Sequence, residues 1–358
     1  MKTTVATLAF ASMLSLSAIH PLRASEAGVD MDFAKFVNPF VGTTNFGTTN
    51  PGAVRPNGMM SVTPFNVMGS DLNGYDKDAR WWSTPYDVTN KFMTGFSHVN
   101  LSGVGCPEMG SLLLMATTGP LEVDYHKYGT TYHDEKSTPG HYGVTLDNSG
   151  IRAEATATTR VGVSRFTFPA GGEGNILLNL GEGLTNESGA SVRRVGEREF
   201  EGSKLLGTFC YNPQAVFPIY FVMRVDRTPR SSGFWKMQRP MTGVEAEWDK
   251  DNGKYKIYTN YGRVMSGDDI GAWMSFDTTP GEDISVAVAV SFVSIENARE
   301  NLEKELAGTV FATGGAVDAA TADEAFDRVK ADARGEWNRL LGRIEVEGGT
   351  EEQKRVFY

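Results

Sequence analysis

Cysteine is scarce: Cys106 and Cys210 are the two in 358 residues. Their spacing excludes a CxxC metal site and allows at most one disulfide. An exported chain could form that bond. Yet Cys106 stands in a polar loop and Cys210 in the apolar stretch Thr208-Phe-Cys-Tyr211, so two free or buried thiols are the expectation. A basic block is missing too. Lys and Arg number 34 against 44 Asp and Glu, a net charge of −10. Phosphate binding needs clustered cations, so nucleic acid is excluded as the expected partner. Long apolar runs are confined to the N-terminus, where Val5 to Ile19 is short for a membrane span. No later stretch resembles one, and no cysteine lies where a lipid anchor would attach.

That N-terminal run follows Lys2 and precedes the small-x-small pattern Ser25-Glu26-Ala27. Residues 1–27 therefore read as a signal peptide cleaved near Ala27, with Ala24 as the alternative. The mature chain is expected to be exported, to the periplasm or beyond, with no transmembrane segment.

Helical periodicity is absent from Leu112 to Val293. Runs such as Val161-Gly-Val-Ser-Arg-Phe-Thr-Phe168, Asn175-Ile-Leu-Leu-Asn-Leu180, Pro218-Ile-Tyr-Phe-Val-Met-Arg-Val225 and Ile284–Val293 are rich in β-branched and aromatic residues. Gly, Pro, Asn and Asp bound them. Many strands without crossover helices predict antiparallel pairing in a large β-sandwich spanning 28–293. The pattern changes at Ser294, which caps a helix carrying Ala298, Leu302 and Leu306 on one face. Thr321-Ala-Asp-Glu324 reads as a capping box opening a second amphipathic helix through Leu341. Residues 294–343 form a helical linker in this reading. If the 321–341 stripe were exposed, it would suit an assembly partner. Thr350-Glu-Glu-Gln353 is a third capping box, on a helix too short to be stable alone. The expectation is that 344–358 begins a domain continuing past Tyr358.

Polar chemistry gathers in a few loops. Gly95-Phe96-Ser97-His98-Val99-Asn100-Leu101-Ser102-Gly103-Val104-Gly105-Cys106-Pro107 interleaves glycine with hydroxyl, imidazole and amide groups suited to a polar, neutral ligand. It reads either as a binding loop or as a glycine-rich turn whose His98 caps a neighbour. Gly47-Thr48-Thr49-Asn50-Pro51-Gly52 is a stiff pair of turns, either a ligand loop or a surface connector. Trp81 and Trp82 lie in a charged Gly- and Pro-containing loop, where an indole face could pack on a sugar. In extended backbone the two point to opposite faces, so one belongs to the core and the other is available. Asn100-Leu-Ser and Asn186-Glu-Ser match glycosylation sequons. The acidic runs 245–251 and 267–269 lack the spacing of a calcium loop.

These motifs, in order, resemble glycoside hydrolase family 92, the exo-acting α-mannosidases. The resemblance rests on Asn38-Pro-Phe-Val-Gly-Thr43, Asn50-Pro-Gly-Ala53, Pro56-Asn-Gly-Met59, Gly95-Phe-Ser-His98 and Leu101-Ser-Gly-Val-Gly-Cys-Pro107. Ser137-Thr-Pro-Gly-His-Tyr142, Ala155–Gly162 and Gln353–Tyr358 extend it. It implies an N-terminal β-sandwich, linker helices and the truncated start of an (α/α)₆ barrel, in an inverting enzyme acting on mannose-containing glycans. It also implies calcium, bound by barrel residues outside this chain together with the catalytic carboxylates, so no Asp or Glu here is nominated as catalytic. By resemblance the substrate-binding positions are Thr48, Thr49, Asn50, Pro51, Gly52, Trp81, Trp82, Ser97, His98, Gly105 and Cys106. Val99-Asn100 and Asn57 depart from the commonest family pattern, which bears on linkage preference. A stand-alone carbohydrate-binding sandwich is the alternative.

Overall fold

Strand-forming residues pair at intervals from Ala53 to Ser291, and each pairing among the described residues is antiparallel. A computed structural model of the protein describes residues 31–70, 72–73, 82–185, 189–207, 210, 212–238, 254–313 and 319–358. The signal peptide, Trp81, Asn186 and the 245–251 run lie outside the described residues. Everything below concerns the unit Phe33–Tyr358; of the unit Met1–Asp32, only Met31 and Asp32 are described.

One sheet has eight strands in the spatial order Ala53–Val54, Ser61–Phe65, Gly95–Asn100, Met109–Thr118, Gly172–Asn179, Ile270–Thr278, Ser231–Met237 and Tyr255–Thr259. The other has ten: Met265–Gly267, Ala190–Arg194, Glu199–Leu206, Phe217–Val225, Glu282–Ser291, Val161–Phe168, Arg152–Ala157, His141–Leu146, Thr130–Thr138 and Phe92–Met93. Their inner faces share one core, with Phe96 meeting Phe166 and Phe200 meeting Phe234 at ring separations of 6.2 and 5.5 Å. This is the expected sandwich. Among the described residues of the stretch Leu112 to Val293, the one α-helical turn is Tyr125–Tyr128, capped by Asp124.

The Glu282–Ser291 strand shows why its sequence runs apolar instead of alternating. Val286, Val288 and Val290 enter the sandwich core, while Ala287 and Ala289 face a second core on the sheet's outer side. Buried on both faces, a strand has no polar face to display. The second core is built by helix Ile295–Glu305, through Ala298 and Leu302, and by helix Ala319–Leu341, through Ala322, Ala325, Phe326 and Val329. The first half of the stripe offered above to an outside partner is therefore covered by the chain's own sheet, while Trp337 and Leu341 line a cleft. Ser294 caps the first helix as expected, accepting from Asn297 N. Thr321 does not cap the second, which already starts at Ala319. The Thr350 box is complete: its hydroxyl accepts from Gln353 N at 3.2 Å, and Gln353 Oε1 accepts from Thr350 N at 2.9 Å. That helix, Glu351–Phe357, buries none of its side chains. Tyr358 beyond it stacks on Phe36 and donates to Ile344 O at 3.1 Å.

Candidate functional site

The turn ending at Gly52 is stitched to the loop after strand Gly95–Asn100. Thr48 takes a left-handed φ of 60°, and its carbonyl accepts from Gly103 N at 2.7 Å. Asn50 Nδ2 donates to Leu101 O at 3.2 Å, and Asn50 Oδ1 accepts from Thr63 Oγ1 at 2.9 Å. Thr49 donates its hydroxyl to Val41 O, and Pro51 O accepts from Ser137 Oγ at 2.6 Å. Gly52 is required where it stands: a Cβ there would lie 2.0 Å from Thr63 Oγ1. The turn is thus a built element, pinned on two sides.

The tryptophan segment joins the same assembly. Ser83 N and Oγ donate to Asn45, whose own N–H donates to Asp87 Oδ2 at 2.9 Å. Asp87 Oδ1 accepts from Thr89, so both carboxylate oxygens are engaged in holding backbone. Trp82 belongs to the core, 4% exposed. Sequence reasoning passed over Asn45 and Asp87. An Asn and an Asp 42 residues apart give no local signal of contact.

Ser97 and His98 lie beneath this surface. Both are fully buried. Ser97 Oγ donates to Asn100 Oδ1 at 2.8 Å. The His98 ring is enclosed beside Val62, Met60 and Gly162, with Nδ1 2.7 Å from Leu112 O. A carbonyl only accepts, so Nδ1 carries the proton and Nε2 is bare. Burial pushes its pKa down to about 4. The strand bends here, with a register shift between Phe96 and His98 and Val99 at φ 59°. A β-branched residue in that region is strained. The bulge turns Asn100 back onto Ser61, whose Oγ accepts from Asn100 N at 2.9 Å. With its side chain bonded to Ser61 and Ser97, Asn100 is used internally.

Gly105 and Cys106 are at the surface, and the thiols are not free. Cys106 is disulfide-bonded to Cys210, Cα to Cα 5.2 Å across 104 residues of sequence. The expectation of two separate thiols is corrected. Composition around each cysteine carried no trace of the partner, because the pairing depends on two loops of different sheets meeting.

Asn50 and Gly52 also line a cleft of about 180 Å³ with Val54, Pro139, Trp337 and Tyr358. Trp337 Nε1 donates to Val54 O at 2.7 Å, closing its floor. Pockets that take drug-sized ligands usually run from about 300 Å³ upward, so this cleft is small beside them. Nearby, Glu135 accepts from Tyr86 and Tyr142 at 3.1 and 2.7 Å. Burial holds both phenols protonated, their pKa pushed far up. That carboxylate is occupied in structure. Among the described residues, no group of three or more His, Cys, Asp or Glu is placed to hold a metal ion.

The family model for the glycosyl hydrolase family 92 N-terminal domain matches residues 36–291. The chain belongs to glycosyl hydrolase family 92. The model for that family's catalytic domain matches residues 297–358. This family 92 chain is 26% identical over 341 residues to an uncharacterized secreted glycosidase of Arthroderma benhamiae, covering 89% of this chain and 39% of the other. Its fold is similar to that of the GH92 α-mannosidase BT3965 of Bacteroides thetaiotaomicron solved with mannoimidazole. There the TM-score is 0.71 at 24% identity, over 91% of this chain and 39% of that one. The GH92 glycosyl hydrolase ccman5 gives 0.68 at 27% identity, over 91% and 40%. The inverting GH92 mannosidase BT2199 of B. thetaiotaomicron gives 0.65 at 23% identity, over 91% and 38%. The family 92 chain spans about two fifths of the length of these relatives.

Proposed function

We propose that this chain is the N-terminal, substrate-contacting part of an exported exo-α-mannosidase that releases terminal mannose from α-mannosides or N-glycans, with inversion and dependence on calcium. One observation carries the reading: a single chain matches the N-terminal model of family 92 and then runs into its catalytic-domain model. The geometry supports it. The Thr48–Gly52 turn and the Gly103–Cys106 loop are bonded into one surface, and its cleft, at about 180 Å³, is smaller than the usual ligand pocket. A second wall is needed, and we assign it to the remainder of the catalytic domain. Inversion requires an acid and a base roughly 6.5–9.5 Å apart with a water between them. Asp87 holds backbone and Glu135 holds two phenols, so that pair is assigned to the second wall. Calcium is assigned there too, since the described residues offer it no cluster. Export is supported by the Val5–Ile19 segment and the secreted relative. No helix among the described residues is long and apolar enough to cross a membrane.

The test is turnover of α-linked mannobiosides by the full-length protein, with the first-formed anomer followed by NMR. Release of β-mannose, abolished by a calcium chelator and restored by calcium, is expected. No hydrolysis, alongside calorimetric binding of mannose, would leave a carbohydrate-binding sandwich instead.

A further inference from the structure

We propose that Cys210, through its disulfide to Cys106, is a positioning residue for substrate: it holds the 101–108 loop, and through it the Thr48–Gly52 turn, in the geometry that meets a terminal mannoside. This rests on the functional reading above.

The loop joins strands Gly95–Asn100 and Met109–Thr118 of the eight-stranded sheet. Cys210 lies between strands Glu199–Leu206 and Phe217–Val225 of the ten-stranded sheet. The bond therefore clamps a connection of one sheet to a connection of the other. Among the described residues the loop has little else to hold it. None of residues 101–107 is buried, and a Cβ at Gly103 or Gly105 would meet nothing within 4 Å. Its hydrogen bonds to the turn, Gly103 N to Thr48 O and Asn50 Nδ2 to Leu101 O, transmit order from one segment to the other. Hydrogen bonds exposed to water are each worth little against the entropy of an ordered loop. The covalent tie supplies what packing does not. Order set before binding need not be imposed by the ligand.

The experiment is Cys210→Ser in the full-length protein, which cuts the tie and leaves a thiol at position 106. KM for an α-mannobioside should rise about tenfold with kcat changed less than about twofold, the signature of a disordered binding wall. Amide exchange should quicken at 101–106 and at 48–52 together, while strand Met109–Thr118 stays protected. Reducing the wild type with dithiothreitol, which takes up the bond as its own cyclic disulfide, should reproduce the KM, and reoxidation should restore it. A lowered melting temperature with KM unchanged means a purely structural bond and overturns the proposal; so does unchanged exchange at 48–52. A wild type that hydrolyses no α-mannoside overturns the functional reading itself, a result distinct from an active wild type with a silent variant.

Discussion

His98 is a neutral imidazole sealed in a protein core, and its bare Nε2 has no hydrogen-bond partner among the described residues. Its folded pKa of about 4 lies below the ordinary 6.5 because burial opposes the charge. Between those values the unfolded chain binds a proton that the folded chain refuses, so stability rises with pH across that window. From pH 6.5 down to 4 the protein should lose about 3 kcal/mol through this residue. Urea unfolding of wild type and His98→Gln at both pH values checks it; equal pH slopes would remove His98 as the cause. Trp82 makes a second prediction at this scale. At 4% exposure in the main core, Trp82→Ala should cost about 3–5 kcal/mol. A loss below about 1 kcal/mol in chemical denaturation would contradict the core placement.

Elements are held together here by ion pairs laid over small apolar contacts. Helix Ile295–Glu305 sits on the ten-stranded sheet through Ala298 and Leu302. Its Glu303 pairs with Arg224 at 2.9 Å, and its Arg299 pairs with Glu199 at 2.6 Å and with Glu201. Arg224 also grips Glu199 at 2.7 Å with both groups buried. Removing one partner of such a network leaves an uncompensated charge, so Arg224→Ala should destabilise by about 3–5 kcal/mol. Arg224→Met with Glu199→Gln should recover much of that. Thermal melts of the single and double variants decide; additive losses would mean the pair is not coupled. The long helix Ala319–Leu341 is seated differently. Gly140, at φ +84°, lets the hairpin backbone reach Ala333, where a Cβ would stand 2.8 Å from that side chain. This close approach brings Trp337 over the cleft that Asn50 and Gly52 line.

For the whole molecule, the disulfide is a side-chain cross-link between a connection of one sheet and a connection of the other. Closing 104 residues removes unfolded-state entropy worth about 4.7 kcal/mol on the chain-entropy account. Reduction should therefore lower stability by about 2–5 kcal/mol without dissolving the sandwich, whose core lies away from the bond. Denaturant midpoints and far-UV circular dichroism with and without reductant measure this; an unchanged midpoint would refute it. The same molecule-wide view separates the roles of the proposed site residues. Thr48, Thr49, Asn50, Gly52, Gly105 and Cys106 reach the surface, whereas Pro51, Ser97, His98 and Trp82 are buried.

Local pattern alone was enough for the strands, the sandwich, the cap at Ser294 and the box at Thr350. Each depends on neighbours in sequence, through side-chain alternation or a hydroxyl three residues from an amide. Pattern also singled out Thr48–Gly52 and the 95–107 stretch as candidate ligand loops, because glycine, proline and short polar groups mark such turns wherever they occur. It could not say that those pieces touch, that Asn45 and Asp87 join them, or that Cys106 faces Cys210. Nor could it tell a buried histidine from a ligand-facing one, since His98 carries the same residue name in either setting. Those outcomes were decided by tertiary packing: contacts between segments 40 to 100 residues apart depend on how two sheets stack, and no short window of sequence contains that geometry.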